Sequence, residues 1–293
     1  MKLFTAVAAI LCAGAAAFAA DSSDVKKFTF SNDVVVYAIR DKATTMKSSL
    51  FTDYTKTSSL KKDKLKPEYP ASVNCFVMIY NFKTYLIDAG NFDPKGSLVT
   101  KLASANIRPN GVDCILLTHL HPDHIGGLVD KDGKAVFPKA KVYLSYEEWK
   151  HWNSVLAKKK TGEKDSESEK LLRQFRTAYD GRIQTLQFGE PIVPGLYAVK
   201  AVGHTPGHCF YRQGKLRFVG DVVHAVDLQI EHPEYCASFD ADQKQAYQTR
   251  VSFLESMSKD GNIVFGAHIP VPGVGCIVKE EKGYIFDPYQ PSK

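Results

Sequence analysis

The sequence predicts one α/β domain in which strands and helices alternate along the chain. Apolar runs typical of buried strands, such as residues 112–118, are followed by segments with helical spacing, such as residues 240–257. The 293 residues are 44% hydrophobic and 24% charged, which is ordinary for a globular domain. Because no composition break or short repeat divides the chain, we predict a single domain over residues 20–293.

The first twenty residues differ from the rest in composition. Lys2 is followed by an apolar, alanine-rich run that ends in Ala17-Phe18-Ala19, a small-x-small pattern. This predicts a signal peptide over residues 1–19, cleaved before Ala20, and an exported protein that is periplasmic or secreted. The alternative is a retained membrane anchor. We expect no stable anchor, because the alanine-rich stretch is only weakly hydrophobic.

Cysteines and charges restrict the classes of partner. Five cysteines remain after the predicted cleavage: Cys75, Cys114, Cys209, Cys236 and Cys276. Their spacing is wide, so we interpret them mainly as small buried apolar residues and leave one disulfide open. The formal net charge is +6, and lysines cluster at residues 61–66 and 158–160. No aromatic residues alternate with these lysines, so we predict solvated loops and no nucleic-acid partner.

The N-terminal half begins with a predicted hairpin over residues 28–39, turning at Ser31-Asn32-Asp33. A polar, lysine-rich stretch over residues 41–70 predicts a long loop or flap. The following elements are strands at residues 73–80 and 84–87, a helix that Asp93 caps ahead of Pro94, and a buried strand at residues 112–118.

The C-terminal half continues the alternation of strands and helices. Residues 158–169 are polar and predicted to be exposed, and Asp240 is predicted to cap a helix that ends near Met257. The other predicted elements are a helix at residues 171–179, strands at 196–202, 216–219 and 263–265, and a closing hairpin from 276–278 and 284–286.

The strongest chemical signal is the segment His119-Leu120-His121-Pro122-Asp123-His124. It follows the predicted buried strand directly, and the carboxyl ends of strands are where α/β sheets bind ligands. Imidazole and carboxylate groups suit zinc, iron, manganese and cobalt. Four candidate ligands on one loop are too many for a single open site, so we expect two metals about 3.5–4 Å apart. The alternative, loop histidines satisfied by hydrogen bonds, fits a lone histidine better than this cluster.

Several motifs in order resemble the metallo-β-lactamase-fold hydrolases. The metal motif stands at residues 118–127, and the later motifs are Gly203-His204-Thr205-Pro206-Gly207-His208, Gly220-Asp221 and Gly266-Ala267-His268. Asp88-Ala89-Gly90 also fits, so that the resemblance spans residues 28–286. It implies a four-layer αββα sandwich with the metals at one edge of the packed sheets.

The resemblance also implies a role for each ligand. The first metal would be held by His119, His121 and His204, the second by Asp123, His124 and His268, and Asp221 would bridge both. Asp88 would steady a metal-binding histidine, as carboxylates around metal sites do. His208 is assigned to the surroundings of the site rather than to the metals. The expected cofactors are two divalent ions, zinc first, with manganese, iron and cobalt as alternatives.

Asp221 separates the subgroups of this family. β-Lactamases usually have cysteine or serine there, whereas aspartate is typical of lactonases, phosphotriesterases and glyoxalase II. Only 25 strand-like residues follow His268, which disfavours the glyoxalase II-like thioesterase. The nearest resemblance is to the secreted methyl parathion hydrolase group and its lactonase-like relatives. It is carried by residues 220–224, the predicted helix from Asp240, and residues 267–275 and 282–284.

Three aromatic residues and one histidine are the candidates for contact with the substrate. Trp152 falls where the parathion hydrolase group has a pocket tryptophan, with Trp149 and Phe92 as further pocket candidates and simple packing as the alternative. His224 falls where lactonases have a tyrosine that polarises the substrate carbonyl. It is therefore a candidate hydrogen-bond or proton donor, or a residue that only supports the site.

The working hypothesis is an exported hydrolase acting on a small molecule. A hydroxide bridging two metals would attack a lactone, ester or phosphotriester, and Asp123 would bind metal and transfer a proton. A homodimer is left open. The alternatives are a thioesterase, a non-catalytic exported metal-binding protein, and a nucleic-acid-processing enzyme.

Overall fold

Two large sheets packed face to face form the centre of the molecule. The computed structural model describes residues 24–31, 33–158 and 163–290, so the predicted signal peptide lies outside the described residues. Strands and helices are numbered in chain order. In order across the first sheet, the strands are β1 (Val25–Ser31), β2 (Val34–Lys47), β4 (Glu68–Tyr80), β5 (Lys83–Ile87), β6 (Cys114–Leu116), β7 (Lys141–Ser145) and β8 (Ile183–Leu186).

The second sheet also has seven strands. In order across the sheet, they are β16 (Gly283–Pro288), β15 (Val274–Glu280), β14 (Ile263–Phe265), β12 (Leu216–Phe218), β11 (Cys209–Gln213), β10 (Leu196–Lys200) and β9 (Pro191–Val193). A small third sheet pairs β3 (Phe51–Asp53) with β13 (Tyr235–Ala237). Strands β5 to β8 run parallel, as do β12 and β14, so several carboxyl ends meet at one edge.

Helices cover the outer faces of both sheets. They are α1 (Ser97–Ser104), α2 (Pro122–Ile125), α3 (Tyr146–Ala157), α4 (Glu167–Ala178), α5 (Val226–Gln229) and α6 (Gln243–Met257). Among the residues that the structure describes, every helix is too short or too polar to span a bilayer.

Three apolar cores separate four layers. The first lies between the helices α1, α3 and α4 and the first sheet, where Leu102 and Phe175 join Ile115. The second lies between the sheets, where the ring of Phe76 contacts that of Phe265 at 5.4 Å between centroids. The third packs α6 on the second sheet. This order of layers is the predicted αββα sandwich, so the fold class is confirmed.

The predicted long loop is partly wrong. Strand β2 continues to Lys47 and β4 begins at Glu68, and these two ends pair antiparallel. The side chains at the end of β2 are largely exposed, whereas Tyr69, Ala71 and Val73 alternate as buried residues at the start of β4. The end of β2 is therefore held in a strand by its backbone ladder to β4 rather than by hydrophobic alternation of its own. The irregular segment therefore shrinks to residues 54–67, with β3 before it.

Two predicted helix caps are also wrong. Helix α1 begins at Ser97 with Gly96 as its N-cap, while Asp93 accepts backbone hydrogen bonds from Lys95 and Ser97 in the preceding turn. Helix α6 is capped by Asp242, which accepts a hydrogen bond from the backbone of Gln245, and not by Asp240. Asp and Asn side chains suit turns as well as caps, which explains both errors.

The cysteine interpretation fits the structure. Cys75, Cys114, Cys209 and Cys236 are buried and Cys276 is half-buried. All five are free thiols in the part of the chain that the structure describes.

The helix α2 packs so closely on a neighbouring loop that glycine is required at its end. A Cβ on Gly126 would lie 2.0 Å from the backbone nitrogen of Phe92, whereas one on Gly111 would meet nothing within 4 Å. We expect Gly126→Ala to destabilise the fold by about 3 kcal/mol or more, lowering the Tm by roughly 6–12 °C. Thermal unfolding beside Gly111→Ala checks this. A Gly126→Ala melting temperature equal to that of the control contradicts it.

Candidate metal centre

The candidate ligands come from loops at one edge of the two sheets. The segment from His119 to His124 follows β6, Asp221 follows β12, and His268 follows β14. His204 lies in the loop between β10 and β11. These loops bring all seven predicted ligands together in two groups, His119, His121, His204 and Asp221 in one and Asp123, His124 and His268 in the other.

In the first group, three ring nitrogens converge. His204 Nε2 lies 3.2 Å from His119 Nε2 and 2.9 Å from His121 Nδ1. His119 and His204 are buried, while His121 is half-buried. Three imidazoles that present nitrogens to one point are typical of the protein ligands of a catalytic zinc.

In the second group, two histidines face the carboxylate of Asp123. His268 Nε2 lies 3.5 Å from its Oδ2, and His124 Nε2 lies 3.9 Å from its Oδ1. The side chain of Asp123 is 30% exposed, while both histidines are buried. The second group is therefore open to solvent on the Asp123 side.

Asp221 joins the two groups. Its Oδ2 lies 3.2 Å from His204 Nε2 and 3.1 Å from His268 Nε2. Its Oδ1 lies 3.0 Å from His124 Nε2, without the geometry of a hydrogen bond. One buried carboxylate thus contacts ligand candidates of both groups.

The outward nitrogens of the histidines are held by hydrogen bonds. His124 Nδ1 lies 2.8 Å from Asp88 Oδ2, and His204 Nδ1 lies 2.9 Å from Asp240 Oδ1. His268 Nδ1 lies 2.9 Å from the carbonyl oxygen of Ser72. Such outer partners fix the ring and leave Nε2 free to bind a metal. Asp88 thus holds the ring of His124, one of the candidate ligands.

His208 lies outside both groups. Its Nδ1 lies 3.0 Å from the carbonyl oxygen of Ala201, and its Nε2 lies 3.0 Å from the backbone nitrogen of Asp221. Because a backbone N–H can only donate, Nε2 accepts and Nδ1 carries the proton. Burial lowers the pKa of His208 to about 3, so the ring stays neutral in this arrangement.

The electrostatics of the cluster are dominated by Asp221. Burial alone would raise its pKa, but the surrounding histidines, His268 and His124 foremost, hold it well below its usual value. Burial would lower the pKa of His124 and His268, but the carboxylates around each ring together outweigh it. Asp221, Asp88 and Asp123 raise the pKa of His124, and Asp221 and Asp123 raise that of His268 to about 9. The cluster therefore attracts positive charge, which protons or metal ions can supply.

The residues fit a pair of divalent metal ions. His124 Nε2 and Asp221 Oδ1 are buried polar atoms that face each other without a hydrogen bond. A shared cation between them would satisfy both. Five imidazoles and two carboxylates form a donor set suited to zinc and its neighbours, so the cluster is compatible with a binuclear site.

His224 is buried against Asp221. Its Nε2 lies 3.1 Å from Asp221 Oδ2, its ring stacks on His268 at 5.2 Å between centroids, and its Nδ1 has no hydrogen-bond partner. Burial lowers the pKa of His224 to about 4. A neutral ring donates through Nε2 to the carboxylate, so the geometry makes His224 a support for Asp221.

Of the three predicted pocket residues, the structure brings only Trp152 to the histidines. Its ring lies 5.8 Å from that of His121 between centroids. Trp149, on the same helix, instead stacks with Arg176 at 5.5 Å. Phe92 lies beside Gly126 through its backbone and is 44% exposed.

Two residues of the site were missed by sequence reasoning. Asp240 holds His204, although its position before a helix suggested a cap. Phe239 is 39% exposed, and its ring lies 4.9 Å from that of His224 and 5.9 Å from that of His204. The exposure of Phe239 and the burial of Asp240 are visible only in the structure, so the sequence carried no signal that separates these two residues from an ordinary helix entry.

The residues that form this site match one protein family. The model of the metallo-beta-lactamase superfamily matches residues 69–268, well over half of the chain. The chain belongs to the metallo-beta-lactamase superfamily. With its cluster of histidines and aspartates, membership in this superfamily supports a metal-dependent hydrolase.

Solved structures of the superfamily share the architecture. The hydrolase AbOPH superposes with a TM-score of 0.78 at 28% identity, covering 93% of this chain and all of AbOPH (100%). The dizinc quorum-quenching lactonase AidC, in complex with a product, has a TM-score of 0.76 at 23% identity, over 92% of this chain and 99% of AidC.

A curated relative matches over a shorter region. The exodeoxyribonuclease WalJ of Streptococcus pneumoniae is 29% identical over 133 residues, which is 43% of this chain and 45% of WalJ. The chain therefore spans less than half of the length of this relative.

Proposed function

We propose that this protein is an exported hydrolase that uses two divalent metal ions, zinc first, to cleave a lactone, ester or phosphotriester. The main support for the proposal is the position of Asp221, whose Oδ2 lies within 3.2 Å of histidine nitrogens from both ligand groups. A buried carboxylate placed between two such groups is suited to hold two ions side by side.

Each ligand has a stated task in this proposal. His119, His121 and His204 would hold one ion and Asp123, His124 and His268 the other. Such a pair lowers the pKa of a bound water toward neutrality and withdraws charge from the substrate oxygen. Asp123 is the most exposed of the carboxylates, so it is the group best placed to meet substrate and to accept or return a proton.

The rim of the site supports a substrate with an apolar part. The ring of Trp152 lies near that of His121, and the ring of Phe239 lies near those of His204 and His224. Aromatic rings beside a polar centre favour acyl or aryl groups next to the scissile bond. Such a rim suits small esters, lactones and aryl phosphotriesters.

The relatives support the same class. AbOPH is a hydrolase of this superfamily and AidC is a lactonase, and both are covered almost completely. The finer resemblance to secreted methyl parathion hydrolases rests on residues 220–224, the helix after Asp240, and residues 267–275 and 282–284. Export and a small-molecule substrate complete the proposal, with a homodimer left open.

A nuclease is the second candidate, favoured by the similarity to WalJ over 133 residues. Because that similarity covers 43% of this chain, it carries less weight than the match to AbOPH, which covers 93%. A thioesterase and an inert metal-binding protein would use the same two ligand groups, so only substrate assays separate them from the proposed hydrolase.

A parallel kinetic screen tests the proposal. The mature, zinc-loaded protein is assayed on lactones, aryl esters, phosphotriesters, a thioester and single- and double-stranded DNA. We expect the highest kcat/KM on one of the first three classes. If DNA or the thioester is the preferred substrate, the protein is a nuclease or a thioesterase instead. If the zinc-loaded protein hydrolyses none of these substrates, the result favours a metal-binding protein without catalytic activity.

A further inference from the structure

Glu148 is a buried carboxylate close to, but outside, the metal ligand groups. It lies in the first turn of α3, where Ser145 caps the helix by accepting a hydrogen bond from the backbone of Glu148. A glutamate three residues after a serine cap usually turns back to the cap. Here the side chain, 0% exposed, accepts its hydrogen bonds elsewhere.

Both oxygens of Glu148 accept two hydrogen bonds each. Oε1 accepts from the backbone N–H of Leu120 at 3.0 Å and from the indole N–H of Trp152 at 2.6 Å. Oε2 accepts from the hydroxyl of Thr205 at 2.6 Å and from the backbone N–H of Gly207 at 3.1 Å. Four donors satisfy a carboxylate that would otherwise be costly to bury.

Three of these four donors belong to the segments that carry the first ligand group, and the fourth, Trp152, lies on α3 itself. Leu120 lies between His119 and His121, and Thr205 follows His204 directly. Trp152 in turn packs its ring near that of His121. One carboxylate therefore connects the two loops whose ring nitrogens must converge on the same ion.

The contact between α3 and the second of these loops is tight. A Cβ on Gly207 would lie 2.0 Å from the backbone nitrogen of Glu148. The hydroxyl of Ser145 also donates to the carbonyl oxygen of Gly207 at 2.6 Å. The loop that carries His204 is thus held against the first turn of α3, with little freedom to shift.

We propose that Glu148 is a positioning residue that sets the separation of His204 from His119 and His121. Small displacements of ligands weaken metal binding, and partners outside the ligand set commonly change affinity by about 10- to 100-fold. The inference rests on the proposed metal-dependent function, but its first readout is metal binding, which needs no substrate.

The decisive variant is Glu148→Gln. The amide has the shape of the carboxylate, but whichever way it turns, its NH₂ group opposes a backbone N–H that can only donate, from Leu120 or Gly207. Glu147→Gln is the matched control, because it makes the same change one residue earlier, where the buried Oε2 has no hydrogen-bond partner.

Three measurements are made on both variants. Zinc dissociation constants come from competition with a chromophoric chelator, the coordination geometry from the visible spectrum of cobalt-loaded protein, and the environment of Trp152 from fluorescence in a Trp149→Phe background. We expect Glu148→Gln to raise the dissociation constant of one zinc ion about 10- to 100-fold. We also expect it to change the visible spectrum of the cobalt-loaded protein and the fluorescence of Trp152. On any substrate found by the screen, kcat should fall more than KM rises.

The control should behave as the wild type in all of these measurements. Equal zinc affinities and cobalt spectra for the two variants overturn the positioning role, whatever the screen finds. If Glu148→Gln does not fold, Thr205→Val removes one donor and leaves the carboxylate in place. A smaller loss of zinc affinity is then expected, and an unchanged affinity overturns the proposal.

Discussion

Replacing Asp221 with alanine is expected to abolish turnover and to weaken the binding of at least one metal ion by more than about 100-fold. Even partners outside the ligand set cost about 10- to 100-fold in metal affinity, and Asp221 contacts His204, His124 and His268 directly. Its loss also leaves these buried imidazoles without the carboxylate that they surround. Metal content after gel filtration and initial rates on the best substrate measure both effects.

Asp227→Ala provides the matched control for this experiment. Asp227 lies six residues further on and pairs with Lys66 at 3.0 Å on an exposed surface, where such pairs contribute little. The control should keep both metals and full activity. If the Asp221→Ala protein retains two metal ions and its turnover, Asp221 is not a shared ligand of the two ions.

The sequence predicted the elements whose signals are local. The buried strand before His119 has an apolar run that needs no partner to be recognised, and its centre is β6. The ligand motif is equally local, because three histidines and one aspartate lie within six residues. Residues His204, Asp221 and His268 followed from motif order, and the structure brings all of them into the two groups.

The extended pair of β2 and β4 could not be predicted in the same way. The side chains over residues 42–47 are mostly polar and exposed, so their strand state depends on pairing with residues 68–73. In the partner segment Tyr69, Ala71 and Val73 alternate as buried residues, but residues 42–47 have no comparable hydrophobic pattern of their own. A composition-based prediction therefore assigns such a ladder to a loop.

Contacts around the ligands depend on the same kind of long-range proximity. Asp240 and Asp242 are both plausible helix caps, and only the position of His204 decides that Asp240 binds the histidine. Glu148 lies in a capping pattern and yet points to Leu120 and Thr205. The residue types were visible in the sequence, but their partners were set by how the loops meet.

Removal of the metals is expected to abolish activity and to lower the melting temperature together. The site gathers buried carboxylates and imidazoles whose charges suit cations, so bound ions stabilise the folded chain over the unfolded one. At a free ion concentration of about 1,000 times Kd, this amounts to about 4 kcal/mol, or roughly 8–16 °C in Tm. Dialysis against a chelator should abolish the activity and lower the melting temperature. Addition of zinc or manganese should then restore both the activity and the melting temperature.

The two readouts separate the hypotheses because they depend on different properties. Binding alone raises the melting temperature, whereas hydrolysis also requires an open position and a group such as Asp123 at the solvent side. A reversible shift in Tm without hydrolysis of any substrate indicates the metal-binding protein. Hydrolysis that persists after complete chelation contradicts metal catalysis, and it would require an activity located outside the two ligand groups.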